Sequence, residues 1–413
     1  MTEPLITNDA IVFGLLCLIL GAVFYTQTRA EFKGFYSIVP GLLLCYFIPS
    51  VFSSLNVISG EKSQIYFVAS RYLLPACLVL LTLSVDFKAI LRLGPKALIM
   101  FITGTVGIVL GGPFSFYIFS KIHPSVVGGE GFDAVWRGMT TIAGSWIGGS
   151  ANQNAMKEVF HVGDAVFSSM IAVDVIVANV WMACLLFMAG RSEKIDAWTG
   201  ADNSAIHELR ERVEKFEAKV AKIPNLTDLM LVIMVGFGIT GLSHLAADWL
   251  APTIEAAAPG LKKFSLTSQF FWLVVFATTG GLVLSFTKAR NLEGAGASKM
   301  GSLFLYILIA SIGMKMDISA IFHNPWLFGV GALWILFHVV LLLAVGYFIK
   351  APLFFVAVGS QANIGGAASA PVVASAFHPS LAPVGVLLAV LGYALGTYGA
   401  WLCGQILRWL AGA

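Results

Sequence analysis

Charge is scarce in this chain. Only 11% of its 413 residues are Asp, Glu, Lys or Arg, whereas 58% are apolar. A soluble domain usually carries about 25% charged residues. Since a soluble fold could not bury so much apolar surface, the composition predicts a polytopic membrane protein in a lipid bilayer. The formal net charge of +3 is too small to suggest a nucleic-acid partner.

Motifs for catalysis and metal binding are scarce as well. No H-E-x-x-H, phosphate-binding loop or Ser-His-Asp set stands out, so we expect neither an enzyme nor an organic cofactor. The first ten residues are acidic, whereas a signal peptide is basic, which predicts a retained first helix. Disulfides and metal thiolates are not expected, because the cysteines lie apart in apolar sequence without a C-x-x-C pair. These are Cys17, Cys45, Cys77, Cys184 and Cys403.

Long apolar runs fill most of the chain. A membrane helix needs about 20 apolar residues, and two sets of six stretches meet this requirement. The first set lies in a predicted first membrane repeat, residues 1–189, at 10–27, 34–55, 65–85, 97–120, 134–160 and 164–189. The second set lies in a predicted second repeat, residues 227–413, at 227–249, 265–287, 300–320, 325–349, 351–377 and 382–410.

A charged linker, residues 190–226, separates these two repeats. Apolar residues recur in it at intervals of three and four, and acid–base pairs occupy the other face, which predicts an amphipathic cytoplasmic helix. It either lies on the membrane or the protein surface, or forms a weak coiled-coil seam. The apolar positions are Ile206, Leu209, Val213, Phe216 and Val220, and the pairs are Glu208/Arg212 and Glu211/Lys215.

The two halves share a pattern that predicts a duplication. Asp86-Phe-Lys-Ala-Ile resembles Asp317-Ile-Ser-Ala-Ile, and the Ile-Gly-Gly of 147–149 then matches that of 364–366. If all twelve segments cross the membrane, the halves are parallel. If 134–160 and 351–377 instead re-enter on one side, each half crosses five times and the halves are inverted. We favour inversion with an outside N-terminus, because it places most Lys and Arg residues in cytoplasmic loops.

Two related stretches interrupt the apolar sequence, G-S-W-I-G-G-S-A-N-Q-N at 144–154 and G-S-Q-A-N-I-G-G-A-A-S-A-P at 359–371. Non-helical backbone survives at membrane depth only when it is buried in protein or lines a polar cavity. We therefore expect two broken or re-entrant helices that bind a substrate, although small residues can also serve only to pack helices closely. The predicted substrate-binding residues are Gly144, Ser145, Gly148, Gly149, Ser150, Asn152, Gln153, Asn154, Gly359, Ser360, Gln361, Asn363, Gly365, Gly366 and Ser369.

Asp174 lies in the middle of the apolar segment that follows the first motif. A carboxylate at bilayer depth costs roughly 2.5–3.5 kcal/mol, so it is expected to have a partner or a function. It either binds the coupling cation or proton, or makes a structural hydrogen bond or a salt bridge to Arg71 or Lys157. The predicted sodium ligands are Thr140, Thr141, Asn152, Asp174 and Asn363.

The two stretches, with their continuations A-M-K-E and V-V-A-S-A-F-H-P-S, resemble a bacterial and plastid membrane family designated domain of unknown function 819. The resemblance covers nearly the whole chain. That family is similar to the cation:proton antiporter and anion transporter superfamily, whose members include sodium:glutamate symporters, citrate carriers and bile-acid symporters. The resemblance implies inverted repeats, a mobile core domain with broken helices or hairpins, and a scaffold that often dimerises. The acidic pair typical of the proton antiporters is absent from both motifs.

These observations predict a homodimeric secondary transporter in the bacterial inner membrane. It would move a small organic anion, such as a carboxylate, an amino acid or a short peptide, and sodium or protons would drive it. A channel with re-entrant pore segments is an alternative, and it would conduct without coupling. An exporter or antiporter of the same architecture is another.

Overall fold

The chain folds into a bundle of helices. The computed structural model describes residues 4–36, 39, 41–60, 62–85, 90–91, 93–201, 223–264, 266–315, 324–378 and 381–413. The regular structure in these ranges is helical, which confirms the predicted fold class, an all-α polytopic membrane protein. The first half contains α1 (Asp9–Gln27), α2 (Gly41–Ser54), α3 (Ile65–Leu83), α4 (Pro95–Ile122), α5 (Val135–Val159) and α6 (Asp164–Ala189).

The second half follows the short helix α7 (Ser192–Thr199). It contains α8 (Leu226–Ala257), α9 (Gln269–Ser285), α10 (Ala297–Gly313), α11 (Leu327–Phe348), α12 (Leu353–Ile364), α13 (Gly366–Phe377) and α14 (Ala382–Leu410). Shorter helical turns connect these elements at Ala30–Phe32, Lys33–Tyr36, Pro124–Val126, Gly131–Asp133, Pro259–Phe264 and Lys288–Ala295.

Among the described helices, seven are long and apolar enough to span a membrane. They are α1, α3, α4, α6, α8, α11 and α14, and two bent pairs that contain α2 and α9 bring the number to nine. The sequence predicts twelve segments, in part because it counts 134–160 and 351–377. In the structure each of these is a pair of half-helices.

Local sequence explains several helix boundaries. Asn8 caps α1 by accepting a hydrogen bond from the Ala10 amide at 2.9 Å. Asn225 and Asp228 form a capping box at the start of α8. A π-helical turn, Ala69–Leu73, interrupts α3 and frees backbone carbonyls. The Arg71 carbonyl accepts a hydrogen bond at 2.9 Å from His244 Nε2 on α8.

Contacts between distant residues define the two ends of the bundle. At one end, which we call the linker end, Asp196 in α7 accepts a hydrogen bond from the Leu353 amide at 2.8 Å. Lys96 at the start of α4 donates to the Lys350 carbonyl after α11 at the same end. At the opposite end, the far end, Asn324 before α11 donates to the Val126 carbonyl after α4 at 3.1 Å. Thus α4 and α11 run in opposite directions, as inverted halves require.

The helices divide into two groups, with dense packing inside each and sparse packing between them. The six-helix group contains α1, α2, α3, α8, α9 and α10. The hairpin group contains α4, α5, α6, α11, α12, α13 and α14. Each group therefore takes equivalent positions from both halves of the chain.

Two elements of the predicted duplication fall outside the described residues. These are the acidic turns at Asp86 and Asp317. The same holds for most of the predicted linker helix, since residues 202–222 are not described. The duplication and the amphipathic linker helix therefore stay predictions.

Candidate functional site at the junction of two hairpins

The first motif forms a helical hairpin, which we call hairpin 1 (Val135–Val159). Its helix breaks at Gly149, where φ is 73° and ψ is −174°, a conformation open essentially to glycine alone. The halves fold against each other, because a Cβ on Gly144 would lie 2.6 Å from the Asn152 carbonyl oxygen. The two ends of the hairpin also meet, since the Gly163 amide donates to the Phe132 carbonyl at 2.7 Å. Hairpin 1 therefore enters and leaves at the far end of the bundle.

The second motif forms hairpin 2 (Leu353–Phe377), which consists of α12 and α13. The turn lies at Gly365 and Gly366, and Gly366 has a φ of +57°. Gln361 Nε2 donates to Ser369 Oγ across the turn at 2.6 Å. The ring centroids of Phe354 and Phe377, at the open ends of the two arms, are 5.4 Å apart. Hairpin 2 therefore opens toward the linker end, opposite to hairpin 1.

The tips of the two hairpins meet inside the bundle. A Cβ on Gly366 would lie 3.9 Å from the Gly149 Cα. Helix α14 passes beside both tips, and a Cβ on its Gly392 would lie 2.6 Å from the Ile147 carbonyl and 3.4 Å from the Ala362 carbonyl. We call this place the hairpin junction. Its partly exposed residues are Gly149, Ser150, Gly365, Ser369 and Tyr393.

Two helix N-termini point to the hairpin junction. The second arm of hairpin 1, residues 150–159, starts there, and so does α13 at Gly366. The first turn of each arm has N–H groups without partners in its own helix, and the helix dipole places partial positive charge at that end. The junction thus has the electrostatics of an anion site.

Asn152 and Asn363 make the same set of hydrogen bonds. Asn152 Nδ2 donates to the Gly148 carbonyl, four residues earlier, at 3.0 Å and to the Tyr393 carbonyl on α14 at 3.1 Å. Its Oδ1 accepts a hydrogen bond from the Thr397 hydroxyl, also on α14, at 2.7 Å. Asn363 Nδ2 donates to the Gly359 carbonyl, also four residues earlier, and to the Phe101 carbonyl on α4 at 2.9 and 3.0 Å. Its Oδ1 accepts from Thr105 at 2.7 Å. Each amide thus fastens one hairpin arm to a long helix.

Asp174 on α6 holds the two arms of hairpin 1 together. Its carboxylate accepts hydrogen bonds from Ser145 Oγ at 2.7 Å and Trp146 Nε1 at 2.6 Å in the first arm. It also accepts one from Gln153 Nε2 at 2.8 Å in the second arm. The side chain is buried, so three donors replace the water that a carboxylate would otherwise bind.

The comparisons with known proteins agree with this membrane architecture. A family described as "Protein of unknown function (DUF819)" matches residues 14–410. The chain belongs to the DUF819 family. An uncharacterized membrane protein of Bacillus subtilis (strain 168), YjcL, is 23% identical over 383 residues, which cover 88% of each chain. The predicted family is therefore confirmed, and the DUF819 chain is a multi-pass membrane protein.

The structure brings some of the predicted site residues of this DUF819 chain together and separates others. Thr140 and Thr141 bond to carbonyls of their own arm, those of Arg137 and Gly138, at 2.6 and 2.7 Å. Asn154 Nδ2 donates to the Ser150 carbonyl at 2.8 Å and lies 3.4 Å from the Tyr46 hydroxyl of the six-helix group. The described residues contain no group of three His, Cys, Asp or Glu side chains that could hold a metal. Sodium ligation by the predicted set, which includes hydroxyls and amides, stays a prediction.

Neither Arg71 nor Lys157 forms a salt bridge with Asp174 in the structure. Arg71 Nη1 lies 2.9 Å from Glu158 Oε2, and Lys157 Nζ lies 2.8 Å from Asp164 Oδ1. Hydrogen bonds rather than an ion pair therefore satisfy Asp174. The Tyr66 hydroxyl also donates to Glu158, which links α3 to the end of hairpin 1.

Sequence reasoning missed several residues that complete the site. Thr105 and Thr397 bind the two asparagines, and Trp146 binds Asp174. His338 and Trp181 both contact Ser360 in the second motif. Trp146 lies within the first motif. The other four residues lie far from both motifs in the sequence, so local sequence patterns could not identify them as part of the site.

Proposed function

We propose that this DUF819 chain is a secondary active transporter that moves a small organic anion by alternating access. The observation that carries the proposal is the contact of two hairpin tips that enter from opposite ends of the bundle. A site between two such tips can open to either side by small movements, and irregular backbone at membrane depth is typical of transporter binding sites.

The chemistry of the hairpin junction favours an anion. Two helix N-termini converge there, and their N–H groups suit a carboxylate. The basic side chains closest in sequence to the first motif, Arg137 and Lys157, are engaged elsewhere. Arg137 donates to the Phe160 carbonyl, and Lys157 pairs with Asp164. Backbone amides and hydroxyls such as those of Ser150 and Ser369 would then bind the solute.

The division into two groups supports movement of the hairpin group against the six-helix group. Asp174, which binds both arms of hairpin 1, is our proposed coupling carboxylate, and sodium or protons are the proposed coupling ions. The amides and serines of the two motifs resemble those of sodium:solute symporters, which supports sodium as one of the two candidate ions. We also propose a homodimer in the bacterial cytoplasmic membrane, held through the six-helix group.

A thermal-stability screen of organic anions, each with and without sodium, tests the proposed function. A solute that binds the folded protein raises the unfolding midpoint, because binding stabilises the folded state in proportion to ln(1 + [L]/Kd). We expect one class of carboxylate to do so, and Ser150→Ala or Ser369→Ala to abolish the shift.

Ser120→Ala is the matched control, because Ser120 lies near the end of α4 and donates to the Tyr117 carbonyl of its own helix. Equal shifts in all three variants would place the solute elsewhere. In proteoliposomes, flux that ignores imposed sodium and proton gradients would indicate a channel instead.

A further inference from the structure

His338 lies at the centre of the hairpin group and is fully buried. Its Nδ1 lies 3.0 Å from the Gly104 carbonyl on α4, and its Nε2 lies 2.8 Å from Ser360 Oγ on hairpin 2. A carbonyl oxygen can only accept a hydrogen bond, so Nδ1 carries the hydrogen. When the imidazole is neutral, Nε2 is the unprotonated nitrogen, and it accepts the Ser360 hydroxyl hydrogen.

Ser360 and the neighbouring helices fix this arrangement. Ser360 Oγ accepts a hydrogen bond from Trp181 Nε1 on α6 at 2.8 Å. A Cβ on Gly107 would lie 3.1 Å from His338 Nδ1, so α4 packs directly on the imidazole ring. A continuous chain of hydrogen bonds thus joins α6, hairpin 2, α11 and α4.

A proton on Nε2 would change the hydrogen bonding of hairpin 2. The added proton comes from water, and Nε2–H then donates to Ser360 Oγ. Ser360 would accept from both His338 and Trp181, which uses both oxygen lone pairs. Its own hydroxyl hydrogen would be released to another acceptor. Protonation of His338 therefore creates one positive charge and one free donor beside hairpin 2.

The two hairpins are alike in this respect. The serine of each Gly-Ser pair contacts a titratable side chain of a neighbouring helix. Ser145 donates to Asp174, and Ser360 donates to His338 when the imidazole is neutral. Asp174 lies about two helical turns from Trp181 on α6, and it is already bound to hairpin 1. The other titratable or charged residues on the helices packed around His338 lie toward the ends of those helices. They are Lys96, Tyr117 and Lys121 on α4, Asp164 and Cys184 on α6, and Tyr347 on α11. Helix α12 carries none.

We propose that His338 is a proton-binding site whose proton enters with the anion, so that the coupling ion is a proton. This inference rests on the proposed function. A buried charge is unfavourable unless an opposite charge accompanies it. A proton on His338 and an anion at the hairpin junction therefore favour each other's binding, and by linkage this coupling is reciprocal.

Calorimetry in two buffers with different enthalpies of ionisation tests this coupling, because it counts the protons bound with a solute. The probes are acetate, succinate, citrate and L-glutamate, at about pH 6.5, where histidine can titrate. We expect a probe that binds to bring about one proton with it in the wild type and none in His338→Gln. His244→Gln, which changes a histidine of the six-helix group, is the control and keeps the proton. Equal proton uptake in the wild type and His338→Gln, or none in the wild type, would overturn the proposal.

A second measurement decides the case in which no probe binds or His338→Gln does not fold. Nitrogen-15 spectra of the seven histidines in the full-length wild type are recorded from about pH 4 to about pH 8. The Ser360→Ala variant identifies the His338 signals, because it removes the hydroxyl at Nε2. Proton gain at Nε2, together with a shift of the Trp181 indole signal, supports the site even if transport of these anions fails. An Nε2 that stays unprotonated throughout refutes the site, whatever the protein transports.

Discussion

Asn152 and Asn363 show how single side chains fix the irregular backbone of the hairpins. Each amide spans from a glycine carbonyl in its own arm to a carbonyl and a threonine on a neighbouring helix. These bonds pair polar groups inside the helix bundle, where an unpaired polar group is costly. The amides of both motifs thus stabilise the arms before any solute binds.

Replacement of Asp174 by asparagine tests the clamp on hairpin 1. The amide nitrogen of the new side chain would face a donor from Ser145, Trp146 or Gln153, which leaves at least one of them unsatisfied. We expect Asp174→Asn to lower the free energy of unfolding by about 1–3 kcal/mol. The thermal midpoint in detergent is the measurement, and Asp248→Asn at an exposed position of α8 is the control. A midpoint equal to that of the wild type would show that the carboxylate does not hold the arms.

At this scale the sequence predicts the motif residues but not their partners. Asn152, Asn363 and Asp174 stand out because polar groups are rare in apolar runs. Thr105 and Thr397 do not, since they lie more than 200 residues from the amides that they bind. Only the fold determines which helix passes each motif.

The hairpin turns depend on glycine for different reasons. Gly149 combines a φ of 73° with an extended ψ of −174°, which side chains with a Cβ avoid, whereas Gly366 has a φ of +57°. The nearest atoms to an added Cβ are 3.6 Å away at Gly149 and 3.9 Å away at Gly366, so backbone conformation rather than space limits substitution. We expect Gly149→Ala to destabilise the protein by about 1–3 kcal/mol.

Gly366→Asn provides the matched comparison, because asparagine tolerates a positive φ near +57° better than other residues with a Cβ. It is expected to unfold close to the wild type, whereas Gly149→Asn is not. The thermal midpoints of the three variants check this order, and equal midpoints for the two asparagine variants would contradict it.

Close packing of α14 on hairpin 1 gives a second prediction at the scale of elements. A Cβ on Gly396 would lie 2.6 Å from Asn152 Nδ2 and 2.7 Å from the Gly148 Cα. Gly396→Ala should therefore separate α14 from the hairpin and destabilise the protein. Gly241→Ala, in α8 with nothing within 4 Å, should be neutral or stabilising by up to about 1 kcal/mol, because alanine favours a helix. The two thermal midpoints should shift in opposite directions or differ clearly, and a stable Gly396→Ala would contradict the packing.

The positions of the helices could be read from the sequence with some success, because apolar runs mark them. The predicted segment 10–27 agrees with α1 (Asp9–Gln27) except at its first residue, and the predicted segment 164–189 has the same bounds as α6 (Asp164–Ala189). The segments 134–160 and 351–377 were harder, since hydrophobicity alone cannot distinguish a crossing from a hairpin. The distribution of Lys and Arg favoured hairpins, and only the contacts between their arms showed them.

The described residues place α7, at the start of the linker, at one end of the bundle and the C-terminus at the other. Asp9 at the start of α1 accepts a hydrogen bond at 3.2 Å from the amide of Gln64, which directly precedes α3. The start of α3 contacts Glu158 at the far end, so the N-terminus lies at the far end too. The end of α14 lies beside Phe160, also at the far end. We expect tags in the linker and at the C-terminus to be accessible from opposite sides of the membrane. Protease protection in sealed vesicles measures this, and two tags on the same side would refute the arrangement.

The ion pair between Arg71 and Glu158 joins the six-helix group to hairpin 1. The pair must separate if the two groups move apart at the far end, so it should stabilise the described conformation. Because both side chains are more than half buried, we expect a coupling energy above the roughly 0.2–1 kcal/mol of an exposed pair. A double-mutant cycle with Arg71→Gln and Glu158→Gln measures it, and a coupling of zero would mean that this contact does not hold the groups together.

Because the two hairpin tips meet inside the bundle, a solute bound at the hairpin junction would lie between the two ends of the molecule. The voltage across a membrane falls where water is excluded. A charge that moves past Gly149 and Gly366 would cross part of this field, and each elementary charge that crosses the full field changes in energy by about 2.3 kcal/mol per 100 mV. Net charge carried past the tips would thus make the hairpins the voltage-sensitive part of the molecule.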